Sequence, residues 1–307
     1  MPLALRQVLA TLAFLATTSA FALPPAVECP PAVPSRESAA RAPKVAGERI
    51  AIAFGSGSMH GLAHIGVIEE LEARGVDARV VTGTSAGAIV GALYASGLTG
   101  AQIEALLRGS DWDTARRLVI SRQGFFSNEP LRERLEPVFA GRPIESWPRR
   151  FGAVATNVVD GQRRLLTTGN GALAVQASSA MPVAFVPVTV GSEQLVDGAL
   201  VEPNPVQAAR DLGAEFVIAV DVAYRPYEEA ALGMSALAFQ SLHILVNNLG
   251  ARQLQAADVA IRIDVHDTYV KCGAAGTIAA GREAVRRVWP ELLGALAQRS
   301  DRRATRR

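Results

Sequence analysis

The chain has 307 residues, with 31 Lys and Arg against 29 Asp and Glu and a formal net charge of +2. So small a surplus argues against an extended basic groove for nucleic acid, and two cysteines exclude a disulfide-stapled scaffold or a Cys-rich zinc module. At 49% hydrophobic and 20% charged residues the composition is that of a globular protein. Four histidines, His60, His64, His243 and His266, are the whole supply for any imidazole-dependent chemistry.

Residues 1–22 read as a secretory signal peptide: Arg6 carries the positive charge, 8–16 is a short apolar run, and Ala20-Phe21-Ala22 fits the small-x-small cleavage rule. The run is shorter than the ~20 residues of a membrane span, so the expected product is exported, either periplasmic or secreted. Residues 23–47 form a Pro/Ala-rich lead-in without apolar periodicity, 48–297 a single folded domain, and 298–307 a basic tail, with 299–307 expected to be disordered. Glu28 stands where a lipoprotein signal needs a small residue, which argues against a lipid anchor on Cys29. Export permits a disulfide. Cys29 in the lead-in and Cys272 near the C-terminus are nonetheless expected to stay unpaired.

Along the domain, 49–54 reads as an apolar strand, 55–61 as a Gly/Ser loop, and 62–74 as a helix with apolar residues at 62, 65, 68 and 71. A strand at 79–82 precedes a small-residue helix at 86–95. Helices follow at 99–108 and 129–139, joined by an Arg-rich connection. Strands 151–155 and 163–167 flank the hairpin signal Asp160-Gly161, a helix is read at 172–179, and strands 183–190 and 194–196 flank Gly191-Ser192. A buried strand at 216–222, a helix at 235–257, a strand at 259–263 and a helix at 277–297 complete the domain. Strands alternating with helices predict an α/β fold, a largely parallel sheet covered on both faces.

Two glycine motifs carry chemistry. The first, Gly55-Ser56-Gly57-Ser58-Met59-His60-Gly61, follows a strand and opens a helix. Small residues there let backbone amides converge on a negative charge. The spacing is GxGxxxG, so a dinucleotide loop and an oxyanion cradle both remain open at this point, and Asp77 precedes the second strand instead of ending it. The second, Gly83-Thr84-Ser85-Ala86-Gly87, fits G-x-S-x-G between a strand and a helix, the context of a nucleophile elbow. A nucleophilic serine needs a base. His243 lies in an apolar helical stretch, His266 lies beyond a strand, and Asp197 follows a strand and precedes Gly198. Asp160 is explained by its turn.

The order of motifs, Gly55 to Gly61, LAHIGV at 62–67, GTSAG at 83–87, SSAMP at 178–182 and Asp197-Gly198-Ala199, resembles the bacterial patatin-like phospholipases, over residues 48 to 297. The resemblance implies a three-layer α/β/α sandwich with a mostly parallel central sheet. It implies a Ser–Asp dyad without histidine: Ser85 as nucleophile, Asp197 as base and the loop 55–61 as oxyanion hole. No cofactor or metal is read from the sequence, and no carboxylate cluster suggests a calcium site. His60 stands where the family usually has Arg or Lys, and Ala199 where it often has Gly. His64 is read as structural. The expected activity is hydrolysis of carboxylic esters of phospholipids or lysophospholipids through an acyl-enzyme on Ser85. An α/β-hydrolase using His266, a nucleotide-binding oxidoreductase and a non-catalytic lipid-binding protein are the alternatives. The stretch 116–122 with Phe125 and Phe126 is a candidate for transient contact with a membrane surface. Nothing in the sequence indicates an oligomeric state.

Overall fold

The computed structural model describes residue 29 and residues 49–108, 117–119, 121, 123–222, 233–264 and 266–304. The expected signal peptide and all of the lead-in except Cys29 lie outside them.

Strand β1 (Ile50–Phe54) leads through a 3-10 turn, Ser58–Leu62, into α1 (Ala63–Ala73). β2 (Val80–Thr84) is followed by α2 (Ala86–Ala95) and α3 (Gly100–Arg108). Next come β3 (Arg117–Leu118), β4 (Gly124–Ser127), α4 (Glu129–Phe139), β5 (Arg150–Asn157), β6 (Arg163–Leu166) and α5 (Gly171–Ser178). β7 (Val183–Phe185), β8 (Val188–Val190) and β9 (Glu193–Asp197) precede a second 3-10 turn, Gly198–Leu200. The chain ends with α6 (Val206–Asp211), β10 (Phe216–Asp221), α7 (Met234–Gln253), β11 (Val259–Arg262) and α8 (His266–Ala304).

The main sheet has the order β11-β10-β1-β2-β5-β9-β8, with β6 also paired to β5. The run from β11 to β5 is parallel, and β6, β9 and β8 join it antiparallel. This is the expected α/β/α sandwich with a mostly parallel sheet. The alternation in β1 explains its two faces. Ile50, Ile52 and Phe54 enter the large core with Ile65 and Ile68 of α1, Leu93 of α2 and Val285 and Leu292 of α8. Ala51 and Ala53 face the other way, beneath Val206 and Ala209 of α6. Each large side chain buried on the first face contributes about 1.5–3 kcal/mol. The alanines on the second let α6 lie close.

The structure departs from expectation in four places. The strand read at 183–190 is two strands in different sheets. Pro187 has no amide to donate, and Val186 N–H bonds the Phe126 carbonyl (2.9 Å), so the chain leaves the small sheet β3-β4-β7 and enters the large one. That small sheet occupies part of what reads as an Arg-rich connection. The last helix starts before 277, breaks at Gly273 (φ 61°, ψ −158°) and continues through Ala304. The basic tail is therefore largely helical. Arg299 Nη1 is 3.0 Å from Asp258 Oδ1 and its guanidinium lies 5.7 Å from the Phe216 ring centre.

Finally, Cys29 and Cys272 are joined by a disulfide across 243 residues of sequence. Loop-closure entropy grows only logarithmically with length, so distance in sequence is no obstacle to pairing. Cys29→Ser or Cys272→Ser is expected to lower stability by about 2–4 kcal/mol. In thermal melts followed by circular dichroism, reductant should reproduce the loss in the wild type and leave either variant unchanged.

Candidate active site

β1 and β2 are parallel neighbours with Phe54 opposite Gly83. The loops that follow them open at the carboxyl end of the sheet, where sites of such folds lie. After β2 the chain turns at Ser85 with φ 56° and ψ −122° and enters α2 at once. Positive φ is rare for a residue with a side chain. The turn also needs close backbone approach: a Cβ on residue 83 would lie 2.4 Å from the Gly87 carbonyl oxygen, and one on residue 87 would lie 2.1 Å from that of Phe54. Thr84 Oγ1 donates to the Glu202 carbonyl (2.7 Å), tying the elbow to the segment after β9. Serine at a helix start usually turns its hydroxyl onto the helix amides. That of Ser85 makes no such bond, and the residue is partly exposed.

The loop 55–61 packs against this elbow: a Cβ on Gly61 would lie 2.6 Å from that of Ala86. Gly55 N–H bonds the Val220 carbonyl and Ser56 N–H the Pro203 carbonyl, each at 2.9 Å, so both amides are committed to the scaffold. The first internal bond of the following 3-10 turn runs from His60 N–H to the Gly57 carbonyl (3.0 Å). The amides of Gly57, Ser58 and Met59 come ahead of it. His60 is buried. His64 is fully buried, its ring edge-on to Phe54, with Nε2 2.8 Å from the Gly55 carbonyl oxygen. That oxygen can only accept, so Nε2 carries the proton. Burial lowers the His64 pKa to about 4, which makes the ring a neutral brace for the loop.

Asp197 ends β9 opposite Ala155 of β5 and has no exposed surface. Its Oδ1 accepts the Ala199 amide at 2.8 Å. Among the described residues, buried Oδ2 has no hydrogen-bond partner of ordinary geometry. Burial raises the Asp197 pKa to about 7, while the Ala199 amide and the Ser85 hydroxyl favour the charged form and oppose that rise. Ser85, Asp197, Gly198, Ala199 and the glycine loop thus converge at one end of the sheet. A strongly perturbed carboxylate beside a hydroxyl makes this the candidate reactive site.

The other candidates do not join them. Asp160 bonds Arg164 and the Gln162 amide within its hairpin turn, and Asp77 is an exposed partner of Arg79 (2.7 Å). His243 is half-buried in α7, where burial lowers its pKa. His266 begins α8, and its side chain lies outside those described. Among the described residues no group of three or more His, Cys, Asp or Glu is placed to hold a metal ion. One residue of the site went unassigned in the sequence. Ser178, fully buried at the end of α5, accepts the Ser85 amide (3.0 Å) and donates to the Val154 carbonyl (2.5 Å). Its membership of SSAMP was the available signal.

The raised pKa has a consequence for stability. The folded protein keeps a proton on Asp197 that the unfolded chain, at the ordinary value of 3.8, releases. This group's contribution to stability therefore declines as pH rises from about 4 to about 7 and is flat above. Asp197→Asn keeps an acceptor for the Ala199 amide and removes the buried charge. It is expected to melt above wild type at pH 8, by roughly 2–4 °C per kcal/mol gained, with the gap closing towards pH 4 in differential scanning calorimetry.

Comparison with known proteins agrees with this architecture. The sequence profile of the patatin-like phospholipase family matches residues 52–210, just over half of the chain. An uncharacterized NTE family protein of Mycobacterium tuberculosis is 31% identical over 191 residues, 60% of this chain and 52% of that protein. The chain therefore spans about half the length of that relative. Lysophospholipase NTE1 of Debaryomyces hansenii is 26% identical over 181 residues, 57% of this chain and 12% of that protein. Among solved structures, VipD from Legionella pneumophila superposes with a TM-score of 0.50 at 14% identity, covering 80% of this chain and 67% of VipD, a likeness of fold. The profile match, which includes the serine elbow, and the sandwich architecture identify the chain as a member of the patatin-like phospholipase family.

Proposed function

We propose that the chain is an exported serine hydrolase that cleaves carboxylic esters of phospholipids or lysophospholipids with a Ser85–Asp197 dyad. The observation that carries this reading is the buried Asp197 carboxylate, tuned to a pKa of about 7, beside a Ser85 hydroxyl that the helix does not use as a cap. In this mechanism Asp197 takes the Ser85 proton as Oγ attacks the ester carbonyl. The amides of Gly57, Ser58 and Met59 receive the oxyanion, where each preorganised donor is worth on the order of 10²–10³ in rate. Collapse expels the alkoxide, which leaves as the alcohol by taking that proton from Asp197. The same carboxylate then deprotonates a water that attacks the acyl carbonyl, and its proton passes to Ser85 Oγ as the acyl–Oγ bond breaks and the fatty acid leaves. Kinship with a protein named lysophospholipase supports the substrate class. The Cys29–Cys272 bond fits an oxidising compartment and supports export.

The same reading extends to a lipid surface. α7 has one charged residue, Arg252, in its whole length, yet Met234, Leu237, Ile244 and Leu245 are exposed along it. Soluble helices normally turn polar faces outward, and apolar patches of this kind mark interaction sites. α7 packs on the 3-10 turn that follows Asp197 and on β7. β7 pairs with β4, which exposes Phe125. Phe126 instead turns towards Phe185, with ring centres 6.4 Å apart. Arg117 is within 3.5 Å of Glu129 and 3.3 Å of Glu133, so the proposed contact is apolar in character. Arg116 and Arg122 lie outside the described residues.

A fluorophosphonate probe should label wild type and His266→Ala, and fail to label Ser85→Ala and Asp197→Asn. Loss of labelling in His266→Ala with retention in Asp197→Asn would replace the dyad by a histidine base. Because Asp197 acts when ionised, kcat/KM should fall about tenfold per pH unit below pH 7 and level off above; a flat profile from pH 4 to 7 would rule out this base. The double variant Leu237→Ser/Leu245→Ser should lose co-sedimentation with phosphatidylcholine vesicles while hydrolysing a soluble short-chain ester at the wild-type rate. Unchanged co-sedimentation would discard the lipid face and leave the dyad standing.

A further inference from the structure

The proposed reaction depends on the separation between the Ser85 hydroxyl and the Asp197 carboxylate, and these residues are positioned by non-adjacent strands. Ser85 follows directly on β2, Asp197 ends β9, and β5 lies between the two strands. Ser85 is held at positive φ, a conformation that persists only where its surroundings over-determine it. The segment 178–180 reaches both partners. Ser178 Oγ accepts the Ser85 amide at 3.0 Å, and two residues on the Ala180 carbonyl accepts the Asp197 amide at 3.0 Å.

The Ser178 hydroxyl has one proton, and it goes to the Val154 carbonyl (2.5 Å). That fixes its lone pairs as acceptors for the Ser85 amide. It also removes both the Ser178 proton and the Ser85 amide from the pool of oxyanion donors. Val154 lies opposite Thr84 in the β2–β5 register. Its carbonyl oxygen lies against Gly198 so closely that a Cβ there would be 2.2 Å away. One carbonyl of β5 therefore meets the brace of the nucleophile on one side and the residue after the base on the other.

We propose that Ser178 is a positioning residue that sets the Ser85 backbone relative to Asp197, so that the two side chains meet at reacting distance. This rests on the dyad reading above. Ser178→Cys, nearly isosteric but a weak hydrogen-bonding group, and Ser178→Ala are to be compared with Ser178→Thr, which keeps the hydroxyl. For a soluble short-chain ester, kcat is expected to fall about 10- to 100-fold in Ser178→Cys and Ser178→Ala, the scale of a small misplacement of reacting groups. KM should change little, and the fluorophosphonate labelling rate should fall in parallel. The decisive readout is the acid limb of the pH–kcat profile. When the Ser85 hydroxyl withdraws, the carboxylate loses a group that favours its charged form, so the limb should move to higher pH in these variants. Ser178→Thr should recover a large part of kcat and return the limb towards its wild-type position. Wild-type kcat in Ser178→Cys, or a lowered kcat with the limb unmoved, overturns the proposal. If Ser178→Ala fails to fold, the Cys and Thr pair decides it. Failure of the dyad itself is seen separately, as persistent activity of Asp197→Asn.

Discussion

A carboxylate with no exposed surface is the constraint around which this molecule is arranged. In water Asp197 would be ionised and too weak a base to disturb a serine hydroxyl. Enclosed at the end of β9, with one oxygen on the Ala199 amide, it is poised near neutrality. Enclosing it requires neighbours that bring no competing charge. Those neighbours are β5 through its register at Ala155, the segment 178–180, and a 3-10 turn covered by α7. In the proposed mechanism, the stability given up by burying that charge is the condition of its reactivity.

The second requirement is nearness of main chains. The serine elbow, the glycine loop and the turn after β9 meet at one edge, and glycines make several of the closest approaches there. Gly61 lies against Ala86, Gly87 against the Phe54 carbonyl, and Gly198 against the Val154 carbonyl. Elsewhere α2 is built mainly of Ala, Gly and Val, so the helix can lie close to the strands that aim its first residue. Bulk is carried instead by the opposite flank of the core, where α1 and α8 cover Ile50, Ile52 and Phe54.

Much of this was legible in the sequence, because local rules govern it. Ser85 with glycine two residues away on either side, between strand and helix, could be read as an elbow without knowing any long-range contact. The helix read at 86–95 has those bounds in the structure. Asp197, at a strand end before Gly198, stood as one candidate base beside His266, and the order of motifs singled it out. Features that depend on partners distant in sequence were not legible. The break at Pro187 separates two sheets because β4 captures Val186, a pairing that no period within 183–190 encodes. Arg299 is helical because Asp258 and Phe216 receive it, whereas locally it is one basic residue in a charged tail. Ser178 looks like any small residue near a helix end until the Ser85 amide appears above it.

The Cys29–Cys272 bond has a topological side. It turns almost the whole folded domain into a covalent ring, closed through the lead-in and reopening just before the kink at Gly273. A single backbone cut anywhere between the two cysteines linearises the ring without dividing the molecule. The two fragments travel as one species until the sulfurs are reduced. Cys29 is thereby fastened near the start of the last helix, far along the chain from the strand it precedes in sequence.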